Sequence, residues 1–337
     1  MRDRRADFWG NLMDRRSALV LGTALLAASR AQAQPNLPLL DTDKMADSSE
    51  LLPLWPGKAP GDLGKPRTLT MTERSKEPGR YHDRAATGIT LPDLTVYRPA
   101  RPDGSALLLM PGGGYDHVTT DKEGTDLARE FAKSGITSFV LRYRLPPEGW
   151  SNSRDVPLQD GQRAMRLIRS RAAQYSIDPA RLGVMGFSAG GHLAATMATR
   201  GAEAKVYETV DAADALDCRP NFAALIYAGV MMGGRNIEPN PSPDEIAARA
   251  PLHHVTASVP PSFLCQSIDD PQVPVGNLVA YFEALRKAGV PCELHLFEKG
   301  GHGFGIRGAL GTPAAVWPRL FRAWGASHGF FRAQAPG

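Results

Sequence analysis

The stretch GFSAGG, residues 186–191, sets Ser188 in a G-x-S-x-G pattern. A serine hydroxyl is a poor nucleophile at neutral pH and needs a base beside it. A glycine-rich chain of this length yields such a pattern by chance roughly 0.2 times, so an ordinary serine between glycines is the alternative. The rest of the chain supplies a base and its support. EKGGHGFG places His302 in a glycine-flanked segment just after an apolar stretch, CELHLFE. SIDDPQVPV offers Asp269 and Asp270 as carboxylates to orient that histidine. The Asp-x-x-Val-Pro spacing starts at Asp270 and favours it, which leaves Asp269 a turn or cap role. LLLMPGGGYDH adds a glycine turn, Gly112-Gly113-Gly114, whose amides could receive negative charge on an attacked carbonyl.

These residues work together only if the fold brings them to one edge. Apolar runs of strand length recur at 93–99, 105–111, 136–143, 181–187, 221–229, 261–268 and 292–298. Helical spacing marks 125–135, 159–175, 189–200, 277–289 and the final AVWPRLFRAWGASHG. Strands alternating with helices predict an α/β fold with a mostly parallel sheet and helices on both faces. Ligands of such sheets bind beyond the carboxyl ends of the strands. Ser188 falls between a strand and a helix, the setting of a nucleophile elbow, with the Ala189 amide opening the helix. The chain order Ser, Asp, His fits the α/β-hydrolase arrangement. Residues 35–90, rich in Pro, Gly and charge, read as an irregular N-terminal arm. The hydrolase domain spans 91–332, and residues 230–260 read as a small insertion before the acid-bearing strand, forming a substrate wall.

The first residues belong to a different class. Arg15-Arg16, an apolar run from Ala18 to Ala28 and an A-x-A pattern at 31–33 read as a secretory signal over residues 1–33. The paired arginines point to the twin-arginine route, and a periplasmic or secreted location follows. The apolar run is too short for an ordinary membrane-spanning helix, so no span is expected once the signal is removed. Six Arg and three Asp in residues 1–33 account for +3 of the chain's net +4. The remainder is close to neutral, so no nucleic-acid surface is implied. No cofactor is expected: there is no G-x-x-x-x-G-K-[ST], and no G-x-G-x-x-G opens a helix. The three cysteines lack metal-ligand spacing. Cys265 and Cys292 fall in strands that could be neighbours, so a disulfide between them stands beside the default of buried free thiols.

The sequence resembles the secreted α/β-hydrolase esterases grouped with acetyl xylan esterases and feruloyl-esterase-like carbohydrate esterases. The resemblance rests on LWPGKAPG (54–61), MPGGGYDHVTTDKEGTDLA (110–128), residues 157–195 around Ser188, SIDDPQVPVGN (267–277) and ELHLFEKGGHGFG (293–305). It implies a Ser188–Asp270–His302 triad with no metal or cofactor. It implies oxyanion donors at Gly113, Gly114 and Ala189, although Pro111 stands where the related H-G-G-G turn has its histidine. The implied substrate is a small-molecule or oligosaccharide ester, short-chain and acetylated. Two other readings stay open: a prolyl-oligopeptidase-type peptidase, which shares fold and triad, and a silent carbohydrate-binding protein.

Other polar residues carry plainer expectations. Tyr115 and Asp116 follow the glycine turn and are candidates to line the acyl or alcohol side. His192, four residues after Ser188, is expected to pack or hydrogen-bond. His253-His254 lack ligand partners at metal spacing, although they could touch substrate. Asp160 reads as a helix cap, and Arg163, Arg166 and Arg169 as a solvated face.

Overall fold

The computed structural model describes residues 40–48, 50–201, 205–231 and 242–332. The 1–33 leader lies outside the described residues. Eleven strands are described: β1 Leu51–Pro53, β2 Thr70–Glu73, β3 Arg84–Thr87, β4 Asp93–Tyr97, β5 Ala106–Met110, β6 Val118–Thr119, β7 Thr137–Arg142, β8 Leu182–Phe187, β9 Ala223–Ile226, β10 Ser262–Ser267 and β11 Cys292–Phe297. The helices are α1 Asp126–Ala132, α2 Val156–Ser170, α3 Ala172–Tyr175, α4 Ser188–Arg200, α5 Pro243–Arg249, α6 Gly276–Lys287 and α7 Trp317–Ser327.

Eight strands form one sheet in the order β1-β4-β7-β5-β8-β9-β10-β11. From β7 to β11 every pairing is parallel, and only β1–β4 and β4–β7 run antiparallel. The register explains the continuous apolar runs. In β5, Ala106, Leu108 and Met110 join one core layer, whereas Leu107 and Leu109 join the other. Both faces are covered, so successive side chains must all be apolar. One layer takes Ala164 and Ile168 from α2, Leu193 and Met197 from α4, and Leu278 and Tyr281 from α6. The other takes Phe131 from α1 and Trp317, Phe321 and Trp324 from α7. No helix among the described residues is long and apolar enough to cross a membrane.

Two expectations are corrected, and the alternative of a Cys265–Cys292 disulfide is excluded. The segment 35–90 is not irregular throughout. Leu51–Pro53 extends the main sheet, and β2 and β3 form a second small sheet with β6. The strands there are short and poor in apolar alternation, which hides them from a pattern reading.

Asp160 and the arginines of α2 are not a cap and a solvated face. Asp160 and Arg144 are both fully buried and bond at 2.8 Å, and Trp55 Nε1 donates to the same carboxylate at 2.9 Å. Arg163 is 1% exposed and donates to Leu54 O, Asp211 and Asp214. Arg166 donates to Leu216 O and Tyr207 Oη, and Arg169 to the carbonyls of Asp217 and Arg219. These side chains tie α2 to the arm and to the segment preceding β9.

Cys265 and Cys292 are free. They lie on neighbouring strands, but Cys265 sits opposite His295 and Cys292 opposite Ser262. Three residues of offset along a strand is about 10 Å, beyond the roughly 7 Å Cα limit of a disulfide. The two thiols also point into opposite core layers.

Of the 230–260 insertion, residues 232–241 lie outside the described residues. Its second half contains α5, opened by a capping box in which Ser242 Oγ accepts from Glu245 N. A 3-10 turn, Pro251–His254, follows.

Candidate active site

The carboxyl ends of β5, β8, β9, β10 and β11 lead directly into Gly112–Gly114, Ser188, Tyr227, Asp269–Asp270 and the loop carrying His302. Ser188 begins α4 with φ +51, a left-handed backbone that few non-glycine residues adopt. Such a turn from strand to helix raises a side chain clear of the sheet. The turn closes because Gly190 lacks a side chain: a Cβ there would lie 2.0 Å from Met110 O. Strain held by tight packing at one residue is typical of functional positions.

His302 Nε2 lies 2.8 Å from Ser188 Oγ, and His302 Nδ1 lies 2.7 Å from Asp270 Oδ2. Asp270 is an acceptor, so Nδ1 carries the proton and Nε2 is left to accept from the serine hydroxyl. Asp270 itself is held by three donors: Gln266 Nε2 at 3.0 Å on Oδ2, and the amides of Gln272 and Val273 at 2.8 and 2.9 Å on Oδ1. Asp269 points elsewhere. Its Oδ1 accepts from Gly300 N at 3.1 Å and Gly301 N at 2.8 Å, fixing the base of the histidine loop. The Gly301 amide, with Gly300 and Lys299 adding to it, holds the Asp269 carboxyl below its ordinary value.

The glycine turn abuts the serine. A Cβ on Gly112 would come within 2.9 Å of Ser188 Cβ, and Gly113, at φ +128, packs against His117 O. Gly114 pairs with His117 in an isolated bridge. Ala189 lies in the first turn of α4, where backbone N–H groups have no intrahelical acceptor.

Tyr115 does not face open space. It is 3% exposed, and its hydroxyl bonds His192 Nδ1 at 2.8 Å, so it braces the turn from beneath instead of lining the site. Burial depresses the His192 imidazole to about 4, which keeps it neutral. Asp116 is exposed. In the insertion, His254 Nε2 bonds Ala248 O, and His253 is exposed.

Two residues that sequence reasoning passed over lie against the site. Tyr227, at φ +40 after β9, packs its ring edgewise on His302 at 5.2 Å. Glu123, 3% exposed in a π-helical turn at Asp121–Thr125, accepts from Gly112 N at 2.7 Å. In DKEGTD, Glu123 stands among the charged residues Asp121, Lys122 and Asp126, and nothing in the sequence sets it apart from them.

This geometry has counterparts. A family described as alpha/beta hydrolase fold matches residues 107–306. An acetylxylan esterase of Xylanibacter ruminicola is 32% identical over 226 residues, 63% of this chain and 44% of that protein. The chain thus spans less than half the length of that relative. An ethyl acetate hydrolase of Pseudomonas putida is 28% identical over 262 residues, 70% of this chain and 79% of that protein. Among solved structures, an acetyl ester-xyloside bifunctional hydrolase from Caldicellulosiruptor lactoaceticus superposes with a TM-score of 0.69 at 30% identity. That match covers 86% of this chain and 99% of the other. With the match extending from β5 to the residues beyond His302, over more than half the chain, this protein belongs to the alpha/beta hydrolase fold family.

Proposed function

We propose that this protein is a serine esterase that removes short acyl groups, acetyl above all, from xylan-derived or other carbohydrate fragments. One observation carries the reading: the continuous hydrogen-bonded chain from Ser188 Oγ through His302 to Asp270 at the carboxyl edge of the sheet. The kinship with an acetylxylan esterase, an ethyl acetate hydrolase and an acetyl ester-xyloside hydrolase supports a small acyl group and, for two of them, a sugar alcohol.

The chemistry follows from the protonation states. His302 Nε2 takes the serine proton as Ser188 Oγ attacks the ester carbonyl. The charge that develops on the carbonyl oxygen is received by the amides of Gly113, Gly114 and Ala189. Asp270 holds the imidazole in register and stabilises its cationic form. The imidazolium gives its proton to the departing sugar oxygen as the C–O bond breaks, leaving an acyl-serine. Water, deprotonated by the same histidine, then attacks the acyl carbon and frees the acid and Ser188.

A periplasmic or secreted location rests on the 1–33 leader and suits substrates met outside the cytoplasm. Oligosaccharides would reach a periplasmic enzyme more readily than polymer.

The test is a substrate panel with Ser188→Ala as the control: acetylated xylo-oligosaccharides, feruloyl esters, p-nitrophenyl acetate and long-chain aryl esters. Turnover of the acetyl esters, absent in the variant, supports the reading. Equal rates on long-chain esters would overturn the small-acyl assignment.

A further inference from the structure

Beneath the site, Glu123 joins two loops that arrive from opposite sides of Ser188. Its Oε2 accepts from Gly112 N at 2.7 Å, at the start of the glycine turn. Its Oε1 accepts from Tyr227 Oη at 3.0 Å. Tyr227 Oη in turn accepts from Gly305 N at 3.1 Å, three residues beyond His302. The same carboxylate lies under the histidine loop, since a Cβ on Gly303 would sit 3.6 Å from Oε1.

The donors dictate the residue type. The Tyr227 oxygen receives the Gly305 N–H, so its own proton must go to Glu123. Gly112 N–H also needs an acceptor. Two donors converging on one buried side chain require a group that only accepts, and a carboxylate is that group. Among the described residues Glu123 makes no direct ion pair, although it is 3% exposed and Lys122 Nζ faces the same glycine, Gly303. Burying a charge outside an ion pair is costly and is sustained only where hydrogen bonds such as these satisfy it, whereas an apolar side chain would leave the Gly112 and Tyr227 donors unpaired. Tyr227 is also fully buried and holds a left-handed backbone (φ +40), a strained state for an aromatic residue. Fully satisfied buried networks of this kind rigidify and specify one geometry.

We propose that Glu123 is a positioning residue that sets the glycine turn and the histidine loop relative to each other. Through Gly112 it orients the peptides that present the oxyanion donors. Through Tyr227 and Gly305 it fixes the loop that presents His302 Nε2 to Ser188. The inference rests on the esterase reading above, because it assigns those loops their catalytic parts.

The experiment compares Glu123→Gln, Glu123→Leu and Tyr227→Phe with the parent and with Ser188→Ala. It measures kcat and KM on p-nitrophenyl acetate together with the melting temperature. Glutamine keeps one acceptor for Gly112 N and can donate to the Tyr227 oxygen, leaving only the phenol proton unpaired, so it should partly preserve the arrangement. The expected losses in kcat are about tenfold for Glu123→Gln and Tyr227→Phe and about a hundredfold for Glu123→Leu, the scale of a small misplacement at a reacting centre. KM should stay within about twofold, since ground-state contacts are untouched. Unchanged kcat in the folded Gln and Phe variants, with only the melting temperature lowered, would overturn the proposal by reducing the network to a structural role. Should Glu123→Leu not fold, the other two variants decide. If Ser188→Ala retains the parent's activity, the esterase site itself falls. If Ser188→Ala is inactive and the Gln and Phe variants match the parent, only this inference falls.

Discussion

Asp269 and Asp270 are adjacent in the chain and hold different parts of the same loop. Asp270 Oδ2 meets His302 Nδ1 at 2.7 Å, whereas Asp269 Oδ1 accepts from the amides of Gly300 and Gly301. One carboxylate orients the imidazole, and its neighbour orients the backbone that carries it. Asp270→Asn should therefore cost about 10⁴-fold in kcat, because the histidine loses the acceptor that fixes its tautomer. Asp269→Asn still offers one amide oxygen to the same glycines and should cost roughly tenfold or less. Steady-state kinetics on both variants checks the assignment, and a reversed order would exchange the two roles.

The buried Arg144–Asp160 pair should dominate the stability of the α2 face. Asp160→Ala leaves a fully buried guanidinium uncompensated and should cost about 3–5 kcal/mol. Asp211, a partner of Arg163 whose side chain is 44% exposed, provides the contrast. Asp211→Ala should cost no more than about 1 kcal/mol. Urea unfolding of the two variants measures the difference, and equal costs would contradict the burial argument.

His192 predicts a pH effect on stability. Burial lowers its folded value to about 4 from an ordinary 6.5. The unfolded chain therefore binds more protons between those values, and stability falls as pH drops from about 6.5 to about 4. The contribution is at most ~3 kcal/mol. A His192→Asn variant should show a flatter fall in melting temperature across that window. A slope as steep as the parent's would place the titration elsewhere, for instance at His117, which burial and Arg74 also push down to about 4.

Thiol titration tests the strand register. All three cysteines should react once the chain is unfolded without reductant. In the native state only the half-buried Cys292 should react, and slowly, because burial raises its thiol. Cys218 and Cys265 should be protected. A count of one thiol in the unfolded, unreduced protein would mean that two of the three are paired and would contradict the free-thiol arrangement.

Much of the fold could be read in advance because sheet strands covered on both faces are mostly apolar along their length. Leu107, Leu108 and Leu109 in β5 illustrate that constraint. The placement of Ser188 at a strand-to-helix junction was legible for a related reason: Gly186 and Gly190 mark a turn that tolerates no side chains. Apart from the short strands of the 35–90 segment, the failures share one cause, since they concern partners distant in sequence. Asp160 and Arg163 look like the polar stripe of an amphipathic helix until Trp55, Arg144 and Asp214 are brought against them. Tyr115 looks like a substrate contact until His192, on the next element of the layer, claims its hydroxyl. Glu123 and Tyr227 bond to backbone amides and to each other, and a backbone amide has no signature in sequence.

The central claim is that Ser188 is the nucleophile, and one measurement meets it most directly. Hydrolysis of p-nitrophenyl acetate should be followed for the parent and for Ser188→Ala, with folding verified by an unchanged melting transition. The account predicts a loss of at least about 10⁴-fold in kcat for the variant, since removing the nucleophile leaves only binding and the oxyanion donors. A folded Ser188→Ala protein that turns over the ester at the parent's rate would contradict it.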